Sequence, residues 1–336
     1  MGGVKRSLLR ATHYLAALLV AASVAGCAQS APSTLDTAGV GARRVECLWW
    51  LLFWISVVVV LEVLALLGWA LWRRRRTVSV HAGDAMPFVG VLGVGVPFIV
   101  LVAVYGIGLR DLNALVRPPG EPQLTVEIIG HRWWWEVRYP DTAGAVTANE
   151  LHIPVDRTVS LRLTTADVQH SFWVPQLMPK TDLIAGKVNQ TWLRAERVGD
   201  FRGVCAEYCG LQHANMSLVV VAEPADEFTA WLRDLATPPP RDLTDQQRRG
   251  QVAFESSACA ACHTVRGTTA SATIGPDLTT IGSRWSIGAG AAPNDEGHLG
   301  GWVMNPQTLK PGNQMPPQPV PASDLPDLLS YLQTLR

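Results

Sequence analysis

Charge is what this 336-residue sequence has least of. Asp, Glu, Lys and Arg make up 17% of it, and 28 basic side chains cancel 28 acidic ones. Without a basic surplus the chain lacks the electrostatic footprint of a nucleic-acid binder. No internal repeat is visible, so a repeat array is not expected. Cysteine is scarce at six, and Phe and Tyr are few at 7 and 5, yet Trp reaches 13. That excess suits membrane interfaces and electron-transfer surfaces. With 48% hydrophobic residues, the length accommodates two modest domains plus membrane segments.

Two stretches are nearly free of charge. Cys47 to Trp72 is apolar except for Ser56 and Glu62, and Met86 to Leu109 carries no charge. Each exceeds the roughly 20 residues that cross a bilayer. Arg73-Arg74-Arg75-Arg76 lies between them and belongs on the cytoplasmic side, which sends everything after Leu109 outward. Trp49, Trp50 and Trp54 mark the outer end of the first span, and Trp69 and Trp72 the inner end. Glu62 is costly in lipid and is expected to face a partner subunit or a polar interior. Lys5, Arg6 and Arg10 precede an apolar run from Ala11 to Ala25, which reads as an export signal and agrees with that orientation. Val24-Ala25-Gly26-Cys27 resembles a bacterial lipobox, and cleavage there would leave Cys27 lipidated; a plain signal peptide or an uncleaved helix is the alternative.

Five of the six cysteines have a chemical use other than a disulfide. Cys205-Ala-Glu-Tyr-Cys209-Gly-Leu-Gln-His213-Ala-Asn-Met216 sets two thiols, an imidazole and a thioether in one short loop. Cys and Met favour copper, and imidazole is compatible with it. A mononuclear blue site needs one Cys; the second lets two sulfurs be shared between two metals. A further imidazole lies upstream in Asp167-Val-Gln-His170-Ser-Phe-Trp-Val-Pro, at what reads as a strand end. A Cys205–Cys209 disulfide is the plain alternative. It would not need Glu207, Gly210, His213 and Met216 at these offsets. Zinc is disfavoured because Met is a poor ligand for it. Around the loop, from Gln123 to Pro224, β-branched runs such as Leu124–Ile129, Val159–Leu163 and Ser217–Val221 alternate at period two. The pattern predicts an antiparallel sandwich or barrel.

Thr237-Pro-Pro-Pro240 follows as a stiff connector. Thr244-Asp-Gln-Gln247 then reads as a capping box opening a helix. Cys259-Ala-Ala-Cys262-His263 is a c-type haem attachment signature, with two thioethers and His263 as proximal ligand. Met315, in Lys310-Pro-Gly-Asn-Gln-Met315-Pro-Pro, is favoured as sixth ligand over Met304 and His298. Leu325, Leu328, Leu329, Leu332 and Leu335 recur at helical spacing in a last helix spanning 323–335.

These motifs together resemble cytochrome c oxidase subunit II with a fused C-terminal cytochrome c domain, as in caa-type haem-copper oxidases. The resemblance implies a two-helix transmembrane hairpin, an all-β cupredoxin-like domain and an all-α class I cytochrome c domain. It implies a dinuclear copper (CuA) centre bridged by Cys205 and Cys209. His170 and His213 would cap one copper each, with Met216 axial and the Glu207 carbonyl facing copper. The Glu207 carboxylate would be positioned to share Mg with subunit I. Gly130-His-Arg-Trp133-Trp134-Trp135 is similar to the family's aromatic segment, which gives Trp133 a role in electron uptake. Gly275-Pro276-Asp277-Leu278 is similar to the segment whose Pro carbonyl orients the proximal His263. Where many members carry a Glu at the start of the second span this chain has none, and Asp84 is a weak substitute. The expected division is 1–26 signal peptide, 27–46 tether, 47–110 hairpin, 121–225 copper domain, 226–243 linker and 244–336 haem domain.

The expected activity is proton-translocating cytochrome c oxidation, in which this chain is the electron inlet and a partner holds the O2 site. Expected partners are subunits I and III and a cytochrome c or bc-complex donor, in a bacterial plasma membrane with both domains periplasmic. The copper subunit of a nitric oxide reductase and a periplasmic copper-delivery protein are the alternatives. A quinol oxidase subunit is disfavoured because every copper ligand is present.

Overall fold

A computed structural model describes residues 32–73 and 86–336. The export signal, Cys27, Arg74 to Arg76 and Asp84 lie outside the described residues. The first long helix, α1, runs Val40–Arg73 over 34 residues. The second apolar segment is helical over Met86–Val116, with a π-helical stretch at Val89–Gly95 leading into α2, Val96–Val116. At 1.5 Å per residue α1 rises about 50 Å, well beyond a hydrocarbon core of ~30 Å. Both helices therefore outrun their apolar stretches, and the surplus turns fasten the hairpin to the next domain. Ala38 and Ala42 are buried there, with their N–H groups donating to Gln176 O (2.7 Å) and Leu177 O (3.1 Å). At the end of α2, Leu115 O accepts from Trp192 Nε1 at 2.7 Å.

The β domain has ten strands: β1 Leu124–His131, β2 Trp134–Arg138, β3 Val146–Ala148, β4 Glu150–Pro154, β5 Val159–Thr165, β6 His170–Trp173, β7 Thr181–Leu183, β8 Asn189–Leu193, β9 Gly199–Cys205 and β10 Ser217–Glu223. They form two five-stranded sheets, ordered β3-β2-β1-β5-β8 and β4-β10-β9-β6-β7. The sheets are mixed rather than purely antiparallel: β1 pairs parallel with β5 and β4 with β10. Period-two patterning specifies which face of a strand is buried but not which neighbour it takes, so it misses this. Between the sheets, Val126, Ile128, Trp135, Leu151, Ile153, Leu161, Leu163 and Phe172 are fully enclosed.

The first part of the segment 226–243, read from sequence as linker, belongs to a helix, α3, Ala225–Ala236. Phe228 and Leu235 on it join the β-domain core, with Trp231 and Leu232 packed beside them. The connector proper starts at Thr237. Beyond it lie α4 Asp245–Glu255, α5 Ala258–Cys262, α6 Glu296–Met304 and α7 Leu325–Thr334. Thr244 caps α4 with the expected reciprocal bonds to Gln247. Leu328, Leu329, Leu332 and Leu335 are buried with Phe254 and Tyr331 in a second core.

The crossing of α4 over α7 is tight at Gly250, where a Cβ would collide with Asp327 O and lie 2.8 Å from Tyr331 Cβ. Gly250→Ala should therefore cost about 1–3 kcal/mol through overpacking. Thermal unfolding of the C-terminal domain would show it as a lowered Tm; an unchanged Tm would mean the crossing has slack.

Candidate functional site

Three strand ends converge on one group of side chains. Cys205 closes β9, Met216 immediately precedes β10, and His170 opens β6, which pairs with β9 through Phe172 and Cys205. The loop between β9 and β10 carries Cys209 and His213. Cys205 Sγ and Cys209 Sγ stand 3.7 Å apart and both residues are buried. A disulfide needs about 2.05 Å, so these are separate thiols. His170 Nδ1 lies 3.8 Å from Cys205 Sγ, and His213 Nδ1 3.7 Å from Cys209 Sγ. Met216 Sδ is 3.9 Å from Cys209 Sγ, and Glu207 O is 3.2 Å from Cys205 Sγ. Every expected copper ligand is thus within reach of the sulfur pair. The Glu207 carboxylate accepts from Tyr208 N in its own loop at 3.2 Å.

The sulfurs titrate against each other. The hydrogen bond from Cys209 holds Cys205 far below the usual thiol range, while Cys205 and then burial push Cys209 up. Ionising either thiol thus opposes ionising the other. A cation seated between the sulfurs supplies what the second thiol lacks in order to ionise. The donor set is soft, with imidazoles on either side, and fits a copper pair.

Sequence reasoning passed over Asp167. Its carboxylate holds His170 Nε2 at 3.0 Å, which turns Nδ1 toward the sulfurs. Burial alone would raise Asp167, but hydrogen bonds from His170, Arg132 N and Val168 N outweigh it and take it down to about 2. A carboxylate three residues before a candidate ligand was the available signal.

The second site is a cleft in the C-terminal domain. Cys259, Cys262, His263 and Met315 line it. His263 Nδ1 donates to Pro276 O at 2.8 Å. Because a carbonyl only accepts, Nδ1 carries the proton and Nε2 keeps its lone pair. Burial lowers the His263 pKa, which favours that neutral form. Gly275 must be glycine, since a Cβ would come within 2.5 Å of the imidazole. Met315 is presented by a pinned loop, with its N–H on Asn313 Oδ1 (2.8 Å) and its carbonyl on Gln307 Nε2 (2.8 Å). Met304 and His298 are not in the lining; Met304 is 44% exposed, and His298 is engaged by Asp295 at 2.6 Å. Two thiols, a neutral imidazole and a thioether around an apolar cleft fit a covalently attached haem.

The two sites share a wall. The cleft is closed from the β-domain side by Trp133 and Trp134. The Trp133 indole N–H donates to Cys209 O at 2.9 Å, and its ring leaves no room for a side chain at Gly210, whose φ is +114°. Trp134 stacks on His131 at 4.1 Å, and Trp135 turns into the core. The three consecutive tryptophans point three ways. Lys310, also unremarked in the sequence, lies beneath Trp133 and is 2% exposed. Burial pushes its pKa down to about 7.

Comparison with known proteins matches each of the two domains to a family. Residues 144–223 match the family described as cytochrome C oxidase subunit II, periplasmic domain. Residues 239–336 match the cytochrome c family. A cytochrome c oxidase subunit 2 from Alkalihalophilus pseudofirmus is 36% identical over 218 residues, covering 65% of this chain and 63% of that protein. One from Bacillus subtilis is 30% identical over 321 residues, covering 88% of this chain and 89% of that protein. Among solved structures, the periplasmic domain of subunit II of cytochrome oxidase of Bradyrhizobium japonicum is 31% identical with a TM-score of 0.33, covering 34% of this chain and 94% of that one.

Asp167→Asn should weaken copper binding by about 10- to 100-fold, the usual effect of removing a partner that orients a ligating imidazole. Competitive titration with a copper chelator measures it. The wild type should lose the same support in acid. A carboxyl held at about 2 contributes above its unfolded pKa of about 3.9, and that contribution fades as pH falls from there toward 2.

Proposed function

The chain belongs to the cytochrome c oxidase subunit 2 family, and from that membership we propose that it is the electron inlet of a terminal oxidase. Electrons enter at the C-terminal domain, pass to the copper site and leave for haem in subunit I, where O2 is reduced and protons are pumped. Cys205, Cys209, His170, His213, Met216 and the Glu207 carbonyl would hold the CuA pair. Cys259, Cys262, His263 and Met315 would hold haem c. When bound, these groups supply one-electron carriers that the side chains alone do not.

The observation that carries this reading is the shared wall: Trp133 closes the cleft lined by Cys259, Cys262 and His263 and donates a hydrogen bond to the backbone carbonyl of Cys209. The chain's own residues then do three things. Trp133 keeps water out of the gap and spans it with one aromatic ring. Asp167 and Pro276 O fix the tautomers of His170 and His263, so each offers a lone pair. Burial of both cysteines keeps the sulfur pair out of water.

Proposed partners are subunit I with its haem a and copper, subunit III, and a cytochrome c or bc-complex donor. The proposed setting is a bacterial plasma membrane, with the hairpin spanning it and both domains on the periplasmic side. The division at 47–110, 121–225 and 244–336 is part of this proposal, with α3 added to the copper domain, as is a Mg ion shared with subunit I through Glu207.

The test uses the purified full chain. It should show a mixed-valence copper-pair EPR signal together with a low-spin c-type optical spectrum. Met315→Ala should turn the haem spectrum high-spin and leave the copper signal unchanged. An unchanged haem spectrum would move the sixth ligand elsewhere, and a chain without stoichiometric copper would overturn the assignment.

A further inference from the structure

Among the described residues, Lys310 has no carboxylate hydrogen-bond partner. Its ammonium donates instead to three backbone carbonyls: Trp133 O (2.8 Å), Asn215 O (2.8 Å) and Gly288 O (2.7 Å). An ammonium has three N–H groups and no acceptor, so three carbonyls satisfy it completely. Two of the three belong to the β domain, flanking the copper loop; the third belongs to the C-terminal domain, as does Lys310 itself. A cation buried this deeply is costly unless paired, and here its partners come from both sides of a domain boundary.

The neighbouring contacts lie on the same seam. Ser217 donates through N (3.1 Å) and Oγ (2.8 Å) to Ala289 O, and Gln212 Nε2 donates to Pro311 O. Farther along, Trp285 N donates to buried Glu150 at 2.6 Å. Lys310 is also tied to the axial-ligand loop, because Asn313 bridges Lys310 O (2.7 Å) and Met315 N (2.8 Å). One short segment therefore carries both the anchor and Met315.

We propose that Lys310 is an interdomain latch, which holds the mouth of the cleft against Trp133 so that the C-terminal domain works docked rather than as a swinging carrier. The proposal rests on the haem and copper reading above and adds how the two sites are held in register. A merely tethered domain would have to find its docking face before each transfer. A latched one has no search step, and its transfer rate is independent of solvent viscosity.

The experiment starts with the wild-type holo-chain, in detergent, carrying a protease site inserted in the exposed connector between Pro240 and Asp242. After cutting, the haem-bearing fragment should stay with the membrane-anchored fragment through gel filtration. In Lys310→Met the cut fragments should separate, with at least tenfold weaker association. In uncut protein, flash-initiated transfer from haem c to the copper pair should be viscosity-independent in the wild type. In Lys310→Met it should slow at least tenfold and fall further with added glycerol, while both spectra stay intact. Fragments of Lys310→Met that hold together as tightly as wild type, or an unchanged and viscosity-independent rate, would overturn the latch. Should Lys310→Met fail to load copper, the wild type decides: separation on cutting, or viscosity-dependent transfer, overturns the proposal. Absence of a covalent haem spectrum in the wild type would instead defeat the underlying functional reading, a distinguishable failure.

Discussion

Two sulfur atoms 3.7 Å apart, shut away from water, set the terms for the rest of this molecule. That spacing is too long for a covalent bond and too short for two independent anions. It persists because strand pairing leaves Cys205 nowhere else to go: β9 is hydrogen-bonded to β6 on one side and β10 on the other. The sheet thus fixes one sulfur, the loop between β9 and β10 returns the other to it, and imidazoles stand on either side. Rigid strands hold the geometry, and the loop supplies the variety of donor atoms.

The second organising feature is the boundary between domains, where several polar groups are buried and hydrogen-bonded across it, although the Nε atoms of Arg266 and Arg284 are buried without a partner among the described residues. Glu150 accepts a backbone N–H from the opposite domain, and buried Arg284 lies close enough to act on it electrostatically. Arg266 reaches back to the carbonyls of Leu235 and Ala236, satisfying the exposed end of α3. A cation at a helix C-terminus is favourable there, and it ties the start of the connector to the haem domain. Such pairing makes the relative placement of the domains specific, because sliding would leave several buried groups without partners.

The two clusters of candidate ligands were legible because they depend on residue type at short spacing. Cys205, Cys209, His213 and Met216 sit in twelve consecutive positions, and Cys259, Cys262 and His263 in five. The leucine stripe of α7 and the capping box of α4 were legible for the same reason: local periodicity encodes them. Parallel pairing of β1 with β5 was not, since partner choice is a long-range property. Helix α3 was visible in principle, with Phe228, Trp231, Leu232 and Leu235 at helical spacing, but nearby prolines drew the segment into the connector. Lys310 gave no sign, because a lysine in a Pro-Gly loop ordinarily reads as a solvated side chain. Only the fold brings the carbonyls of Trp133 and Asn215, far apart in the sequence, to meet it.

A cleft walled on one side by its own domain and on the other by Trp133 and Trp134 is covered where the two domains meet. A macrocycle joined to Cys259 and Cys262, as proposed above, would need an open approach, and the β domain covers one side of it. On the haem reading, loading would come before the two walls meet, and the docked arrangement would belong to the filled cleft.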